Sequence, residues 1–452
     1  MTSRVEIADR LFQLRDDFIP QERYVSREFA ELEKRKLWHR VWQVACREED
    51  IPAAGDYCVY DITDQSIILV RDGDNAIRAF HNVCPHRGRK LLEGRGRINK
   101  FHCGFHAWQW NLNGDNIRIL DAEDWQGCPA MAAEDMALTA VRTATWGGFV
   151  FVSLDPDGEA FEDFIAPVPK YLDCLQLDRM TYAWALTVDL EANWKVAQEA
   201  FMESYHVWGT HPQFIVNIDE KNASAGMGRH GKHFYFYERP VGAPSRRLNK
   251  PVPADVVTGF SAFLDSFHEQ VGDENGNGQM TARSIRAAQE ALATLPRDMP
   301  FPDYIEVAIA AMKQKADEVG APFPMMSAQE KADMGVDWNV FPNLGLVMSF
   351  DGCLIFRARP RGDDPNKCYL DMWSVLCWAE GECPGVRRAH LDNWRDPEQR
   401  KLIPSLLVQD TTNIEFVQQG MHSLGLKGLR PNPVQERQIS NFHKVINDYL
   451  LA

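Results

Sequence analysis

The sequence predicts an α+β protein of two domains: a small antiparallel β domain, then a larger mixed domain whose antiparallel sheet is flanked by helices. Three observations point there. From Asp56 to Leu154 the chain runs through short β-rich stretches, DYCVYDI, QSIILVRDG, AIRAFHNVC and GGFVFVSL, split by polar turns. After the turn-forming segment DPDGEA at 155–160 a helical period begins and then alternates with strands. A chain of 452 residues also exceeds what one hydrophobic core usually organises. The expected divisions are an N-terminal helical segment at 1–45, the β domain at 46–155 and the mixed domain at 156–452.

Each element has its own signal. In REFAELEKRKLWHRVWQVA, at 27–45, Phe29, Leu32, Trp38, Val41, Trp42 and Ala45 fall near one face of a helix. The mixed domain should open with a strand, TYAWALTVDL, and a helix, NWKVAQEAFMESYHVW. Strands NLGLVMSF and CLIFRARP follow, joined by the hairpin signal Asp351-Gly352. A helix at about 402–421, with Leu406, Leu407, Ile414 and Val417 on its apolar side, and a final helix close the chain. The Pro-, Gly- and charge-rich stretch at 243–335, with helical pieces such as TARSIRAAQEALATL, reads as a helical insertion or lid.

A formal net charge of −15 argues against sequence-independent nucleic-acid binding, which draws on clustered Lys and Arg. The basic run from Arg87 to Lys100 is local, and is either a solvated loop or a docking surface for an acidic electron donor. No stretch approaches the roughly 18 apolar residues of a membrane span, and MTSRVEIADR lacks the apolar region of a signal peptide. A cytoplasmic protein without membrane contact is expected. Ten cysteines without a disulfide-framework spacing agree with a reducing compartment. Cys46, Cys58, Cys128, Cys174, Cys353, Cys368, Cys377 and Cys383 read as small buried apolar residues.

The remaining two, Cys84 and Cys103, belong to tight pairs with His86 and His106 in CPHRGRKLLEGRGRINKFHCGFH. Four such ligands fit tetrahedral zinc, although zinc modules usually begin with two residues between paired cysteines. They also fit a [2Fe–2S] cluster with two thiolates on one iron and two imidazoles on the other. A second set lies in NWKVAQEAFMESYHVWGTH, where Glu203 and His206 are three apart on the expected helix and His211 comes where that helix should end. Two imidazoles and one carboxylate make a facial triad for iron(II), and Asp410 in LLVQDTTNIEFVQQG is the candidate carboxylate, with Glu199 or Glu415 next. Met202, Val207, Leu406 and Leu407, each about a turn from these ligands, are candidates for a substrate pocket.

Taken together, these segments resemble the alpha subunits of Rieske non-haem iron ring-hydroxylating oxygenases. The resemblance spans nearly the whole chain. It rests on Cys84-Pro85-His86-Arg87-Gly88 with Cys103-Gly104-Phe105-His106-Ala107-Trp108, on Asn193-Trp194-Lys195 with Glu203-Ser204-Tyr205-His206 and His211, and on Gln409-Asp410 with Glu415, Gln418 and Gly420. The second box departs from the family's usual C-P-Y-H-G-W while keeping both ligands. Respiratory Rieske proteins carry an extra cysteine in each box, where this chain has Arg89 and Phe105, so no disulfide staple is expected.

The resemblance implies a Rieske [2Fe–2S] cluster on Cys84, Cys103, His86 and His106, and a mononuclear Fe(II) on His206, His211 and Asp410. It implies a homotrimer in which Glu203 links the iron of one subunit to His106 of the next, with or without a separate beta subunit. No G-x-G-x-x-G opens a helix after a strand, so NAD(P)H would act only through a separate reductase or ferredoxin. The expected activity is mono- or dioxygenation of an apolar, aromatic small molecule, as in aromatic hydrocarbon catabolism. The alternatives are a Rieske monooxygenase acting on a non-aromatic substrate, by oxidative demethylation or quaternary-ammonium oxidation, an electron carrier and a zinc-stabilised structural protein.

Overall fold

The computed structural model describes residues 11–236 and 238–452, so the first ten residues of the expected helical segment lie outside the described residues. Two compact units emerge: Glu33–Phe164, and the stretch up to Leu32 together with Ile165–Ala452. No helix among the described residues is long and apolar enough to cross a membrane.

The smaller unit is built on an antiparallel seven-stranded sheet in the order Gln43–Arg47, Phe149–Ser153, Ala140–Trp146, Ile77–His81, Gln65–Arg71, Asp56–Ile62, Arg95–Arg97. A three-stranded sheet, Phe101–His102, Gln109–Trp110 and Asn116–Arg118, stands beside it. One expectation fails at the entrance to this unit. The helix expected to run to Ala45 ends with a π turn at Lys34–Trp38, and Gln43–Arg47 is an edge strand paired with Phe149–Val152. The reason is tertiary: the same residues are buried in either conformation, and sheet pairing satisfies the backbone of QVACR where a helix would have to end anyway.

The larger unit carries an eight-stranded sheet ordered Asn222–Met227, His230–Tyr235, Asp337–Val340, Leu344–Met348, Gly352–Pro360, Cys368–Leu376, Thr181–Leu190, Arg387–Leu391. Every neighbouring pair is antiparallel except the last, which is parallel. The hairpin at Asp351-Gly352 forms as expected. Helices Ser405–Met421 and Arg437–Leu451 follow in the chain. Val417 is 47% exposed and so departs from the apolar side assigned to it, whereas Leu407 and Ile414 are buried.

Residues 243–335 form four helices, Val256–Gln270, Ala282–Ala293, Asp303–Val319 and Ala328–Met334. The first three share a hydrophobic cluster that includes Phe260, Leu264, Ile285, Leu292, Tyr304 and Met312. Asp351 ties this layer to the sheet, accepting hydrogen bonds at 2.5 Å from the hydroxyls of Thr281 and Ser284 at the start of Ala282–Ala293.

Five of the eight other cysteines are buried as expected, but Cys174 and Cys383 are half-buried and Cys128 is exposed. Cys128 stands at the N-terminal end of the short turn Pro129–Met131, in which no residue is buried.

Candidate metal centres

In the smaller unit, Cys84 and His86 follow strand Ile77–His81, and Cys103 and His106 follow Phe101–His102. The two loops fold alike. The Gly88 N–H donates to Cys84 O at 2.9 Å, and the Ala107 N–H to Cys103 O at 3.0 Å. Each turn ends in left-handed backbone, with φ +74° at Gly88 and +59° at Ala107. This explains why glycine usually occupies the second position: a Cβ there costs about 1 kcal/mol.

The loops bring two buried thiols within hydrogen-bonding reach of each other. Burial pushes the Cys84 thiol up. Burial pushes Cys103 the same way, but the N–H groups of Phe105 and His106 donate to its sulfur and bring it below the ordinary thiol value. The imidazoles of His86 and His106 are half-buried with ring centroids 4.6 Å apart, and His86 lies flat on Trp108 at 4.9 Å. Both Nδ1 atoms are buried with no hydrogen-bond partner. Desolvation, then the neighbouring His106 and Arg87, lower His86 and keep it neutral. Two buried sulfurs and two imidazoles with orphaned Nδ1 atoms suit a cluster that takes thiolate on one side and imidazole on the other. Trp108 and Trp125, whose ring meets His86 edge-on at 5.8 Å, were not singled out from sequence as supports, since an aromatic residue in a β domain has no distinguishing pattern.

The second centre lies in the larger unit. Its sequence was expected to be one helix, but the helix covers only Trp194–Glu199, capped by the Asn193 side chain on the Lys195 N–H. Side chains then replace the helical ladder. Gln438 donates to Met202 O, and Glu203 Oε2 accepts the backbone N–H groups of Tyr205 and His206. A short helix, Val207–Thr210, restarts with His206 at one end and His211 at the other. Glu203 and His206 therefore do not share a continuous helical face, yet they touch: His206 Nδ1 is 2.7 Å from Glu203 Oε1.

Helix Ser405–Met421 supplies Asp410. Its Oδ1 is 3.0 Å from His211 Nε2 and 3.7 Å from His206 Nε2, and one ligand atom from each of the three residues lies within 4.8 Å of the others. On the far side of each ring the Nδ1 is held, by Glu203 for His206 and by Gln409 Oε1 at 2.7 Å for His211. Each Nδ1–H is thus a donor, which leaves Nε2 of each ring as the nitrogen that would face a metal ion beside Asp410. Burial disfavours a charged His206, but Glu203 and then Asp410 and Asp337 raise it to about 9. Glu203 goes down, since His206 outweighs its burial. The cluster is short of positive charge, and a divalent cation would supply it.

Other expected residues are elsewhere. Glu199 is buried against Tyr24 and His443, and Glu415 accepts from Trp394 and the Glu191 backbone, so neither joins the three. Met202 and Leu407 are buried, while Val207 and Leu406 are half-buried. Gln409 was quoted in the motif without a role, and its neighbour Asp410 was the available signal. Phe214, 6.2 Å from His211 between ring centroids, carried none.

The family model of the Rieske [2Fe–2S] domain matches residues 41–127, and that of the ring hydroxylating alpha subunit catalytic domain matches 177–452. The glycine betaine monooxygenase oxygenase subunit of Chromohalobacter salexigens is 35% identical over 221 residues, 48% of each chain. The carnitine monooxygenase oxygenase subunit of Escherichia coli K12 is 33% identical over 203 residues, 44% of this chain and 54% of that one. The chain thus spans about half the length of the curated relatives it matches. Among solved structures, a quaternary ammonium Rieske monooxygenase with gamma-butyrobetaine superposes with TM-score 0.64 at 17% identity, covering 96% of this chain and 97% of that one. Naphthalene 1,2-dioxygenase with indole gives 0.66 at 16%, covering 98% and 94%. These likenesses establish the fold. With a catalytic-domain match over more than half of its length and a Rieske match ahead of it, the chain belongs to the ring-hydroxylating alpha subunits, the Rieske non-haem iron oxygenases that carry a [2Fe–2S] cluster and a mononuclear iron.

Proposed function

We propose that this chain is the terminal oxygenase of a multicomponent monooxygenase that oxidises a small quaternary ammonium compound, with electrons from a separate reductase or ferredoxin. The relatives named for glycine betaine and carnitine favour this substrate class over the aromatic one first expected. The observation that carries it to this chain is a wall of phenylalanines beside the iron site. Phe214 adjoins His211, and Phe267 stacks on Phe214 at 5.7 Å while Phe263 meets it edge-on at 5.9 Å. Phe263 and Phe267 come from helix Val256–Gln270, so in this reading that helix forms one side of the pocket. A trimethylammonium group over such rings gains about 0.5–2 kcal/mol per favourable contact, without a counter-charge that would compete with the metal.

In this reading Cys84, Cys103, His86 and His106 hold the cluster, and His206, His211 and Asp410 hold the iron. When bound, the cluster supplies single electrons and the iron supplies the site of dioxygen chemistry. The chain's own residues do the rest. Glu203 and Gln409 fix the two imidazoles through Nδ1, and buried Asp410 provides the anionic ligand. Glu203 also serves as the link to His106 of the next subunit in a head-to-tail trimer. Exposed aromatics stand next to both ends of that link: Phe105, 54% exposed, beside His106, and Tyr205 and Trp208, 45% and 38% exposed, beside His206. Surfaces of this kind favour a protein partner over water.

The test is a substrate panel with a surrogate reductase under labelled dioxygen. Glycine betaine, carnitine and gamma-butyrobetaine are set against benzoate and naphthalene. Oxygen-derived product, or formaldehyde from a hydroxylated N-methyl group, is expected from the ammonium set alone, with Phe214→Ala raising KM about 2- to 30-fold. Diol formation from the aromatic compounds alone would overturn the proposal.

A further inference from the structure

Three buried residues outside the ligand set form a Ser–His–Asp chain. Ser204 Oγ is 2.8 Å from His233 Nε2, and His233 Nδ1 meets Asp337 Oδ2. The Tyr235 hydroxyl donates to Ser204 Oγ at 3.2 Å. Relative exposures of 5%, 3% and 3% for Ser204, His233 and Asp337 deny the serine access to a substrate, so it is no nucleophile. His233 and Asp337 sit directly opposite each other on paired strands, so the sheet itself sets their contact. Gln438 reaches the same place from helix Arg437–Leu451, donating to Asp337 Oδ1 at 3.4 Å as well as to Met202 O. Gly231 makes this possible, since a Cβ there would lie 2.5 Å from Gln438 Oε1.

Met202, Glu203 and Ser204 occupy the interval between the helices Trp194–Glu199 and Val207–Thr210, where the regular ladder is lost. The Met202 N–H still reaches Glu199 O and the Val207 N–H reaches Ser204 O, and side-chain anchors supply the rest. The side-chain anchors are Gln438 at Met202 and His233 at Ser204, on either side of Glu203. We propose that Ser204, His233 and Asp337 are positioning residues that lock Glu203 in the orientation from which it holds His206 and passes electrons. This rests on the reading of Glu203 as the link between centres.

The Asp337 carboxylate in close contact with His233 Nδ1 favours the proton on that nitrogen, which leaves Nε2 to accept from the Ser204 hydroxyl, while Ser204 Oγ accepts from Tyr235. Ser204→Ala removes one anchor and no ligand. It should keep both irons and the trimer, leave KM unchanged, and slow the oxidation of the pre-reduced cluster by substrate and dioxygen about 10- to 100-fold. The electron paramagnetic resonance of the nitric oxide adduct of the ferrous site should broaden in this variant, because His206 samples several orientations. Asp337→Asn, of the same shape, should show the same broadening with a smaller kinetic effect, and serves if the alanine variant is poorly folded.

Since the relay acts through Glu203, Ser204→Ala in a Glu203→Gln background should add no further slowing. A wild-type oxidation rate in Ser204→Ala, or slowing that multiplies with that of Glu203→Gln, would overturn the proposal. If Glu203→Gln itself oxidises its cluster normally, the link reading falls. The positioning role is then decided by the nitric oxide signal: broadening in Ser204→Ala retains it, and an unchanged signal removes it.

Discussion

Ala107 is the residue at which this chain departs from its relatives' usual motif and for which the structure supplies a physical cost. Its φ of +59° is left-handed backbone next to the candidate ligand His106, matched in the other loop by Gly88. Ala107→Gly should therefore stabilise the cluster loop by about 1 kcal/mol, partly offset by the greater freedom of glycine in the unfolded chain. Slower loss of the cluster's visible absorbance on heating would show it. A second residue bears on pH. Burial raises Glu199 from the ordinary 4.5 to about 8, in a pocket where Tyr24 donates to it and His443 lies 2.7 Å away. Between those two values the folded chain keeps a proton that the unfolded chain has released. The stabilisation this group gives is complete below pH 4.5 and is lost as pH rises through about 8. Glu199→Gln, which retains the acceptor oxygen, should flatten the fall of the unfolding midpoint between pH 5 and pH 8, read as Tm against pH.

At the scale of elements, helix Val256–Gln270 is held by a glycine contact. A Cβ on Gly259 would lie 2.0 Å from Gly242 O, and one on Gly242, whose φ is +102°, would lie 2.2 Å from Val256 O. The helix therefore runs against bare backbone, and the same helix carries Phe263 and Phe267. Gly259→Ala should push it away at a cost of about 1–3 kcal/mol. Faster hydrogen exchange over 256–270 and 282–293, together with a raised KM for the proposed ammonium substrate, would report the displacement. The hairpin residue Asp351 has a second task at this scale. Asp-Gly was legible as a turn signal, but the buried carboxylate that receives Thr281 and Ser284 was not, because both partners lie far away in sequence.

For the whole molecule the question is whether electrons cross between subunits. Cys84→Ala should abolish the cluster and keep the iron site, and Asp410→Ala the reverse, so each variant alone should be inactive. Mixed during assembly in equal amounts, they should regain about a quarter of wild-type turnover per site, since half of the subunits keep a cluster and half of their neighbours keep an iron. No recovery in verified mixed trimers would place the working pair within one chain. Recovery would complement the cluster-oxidation assay of Glu203→Gln.

The sequence by itself determined the residue types available as ligands, the two families of strands and the place of the candidate iron residues. Those signals are local: a Cys-x-His pair, an alternating β run and an Asp-Gly turn are each written within a few residues. What only the tertiary structure decided depends on partners distant in the chain. Gln43–Arg47 became a strand because Phe149–Val152 offered it an edge, and the expected helix through Glu203 broke because Gln438 and Glu203 itself took its backbone groups. His233 and Asp337 came to lie beside Ser204 by the register of two strands more than a hundred residues apart in the chain. A local pattern fixes which chemistry is available, while long-range pairing fixes where each donor and acceptor finally points.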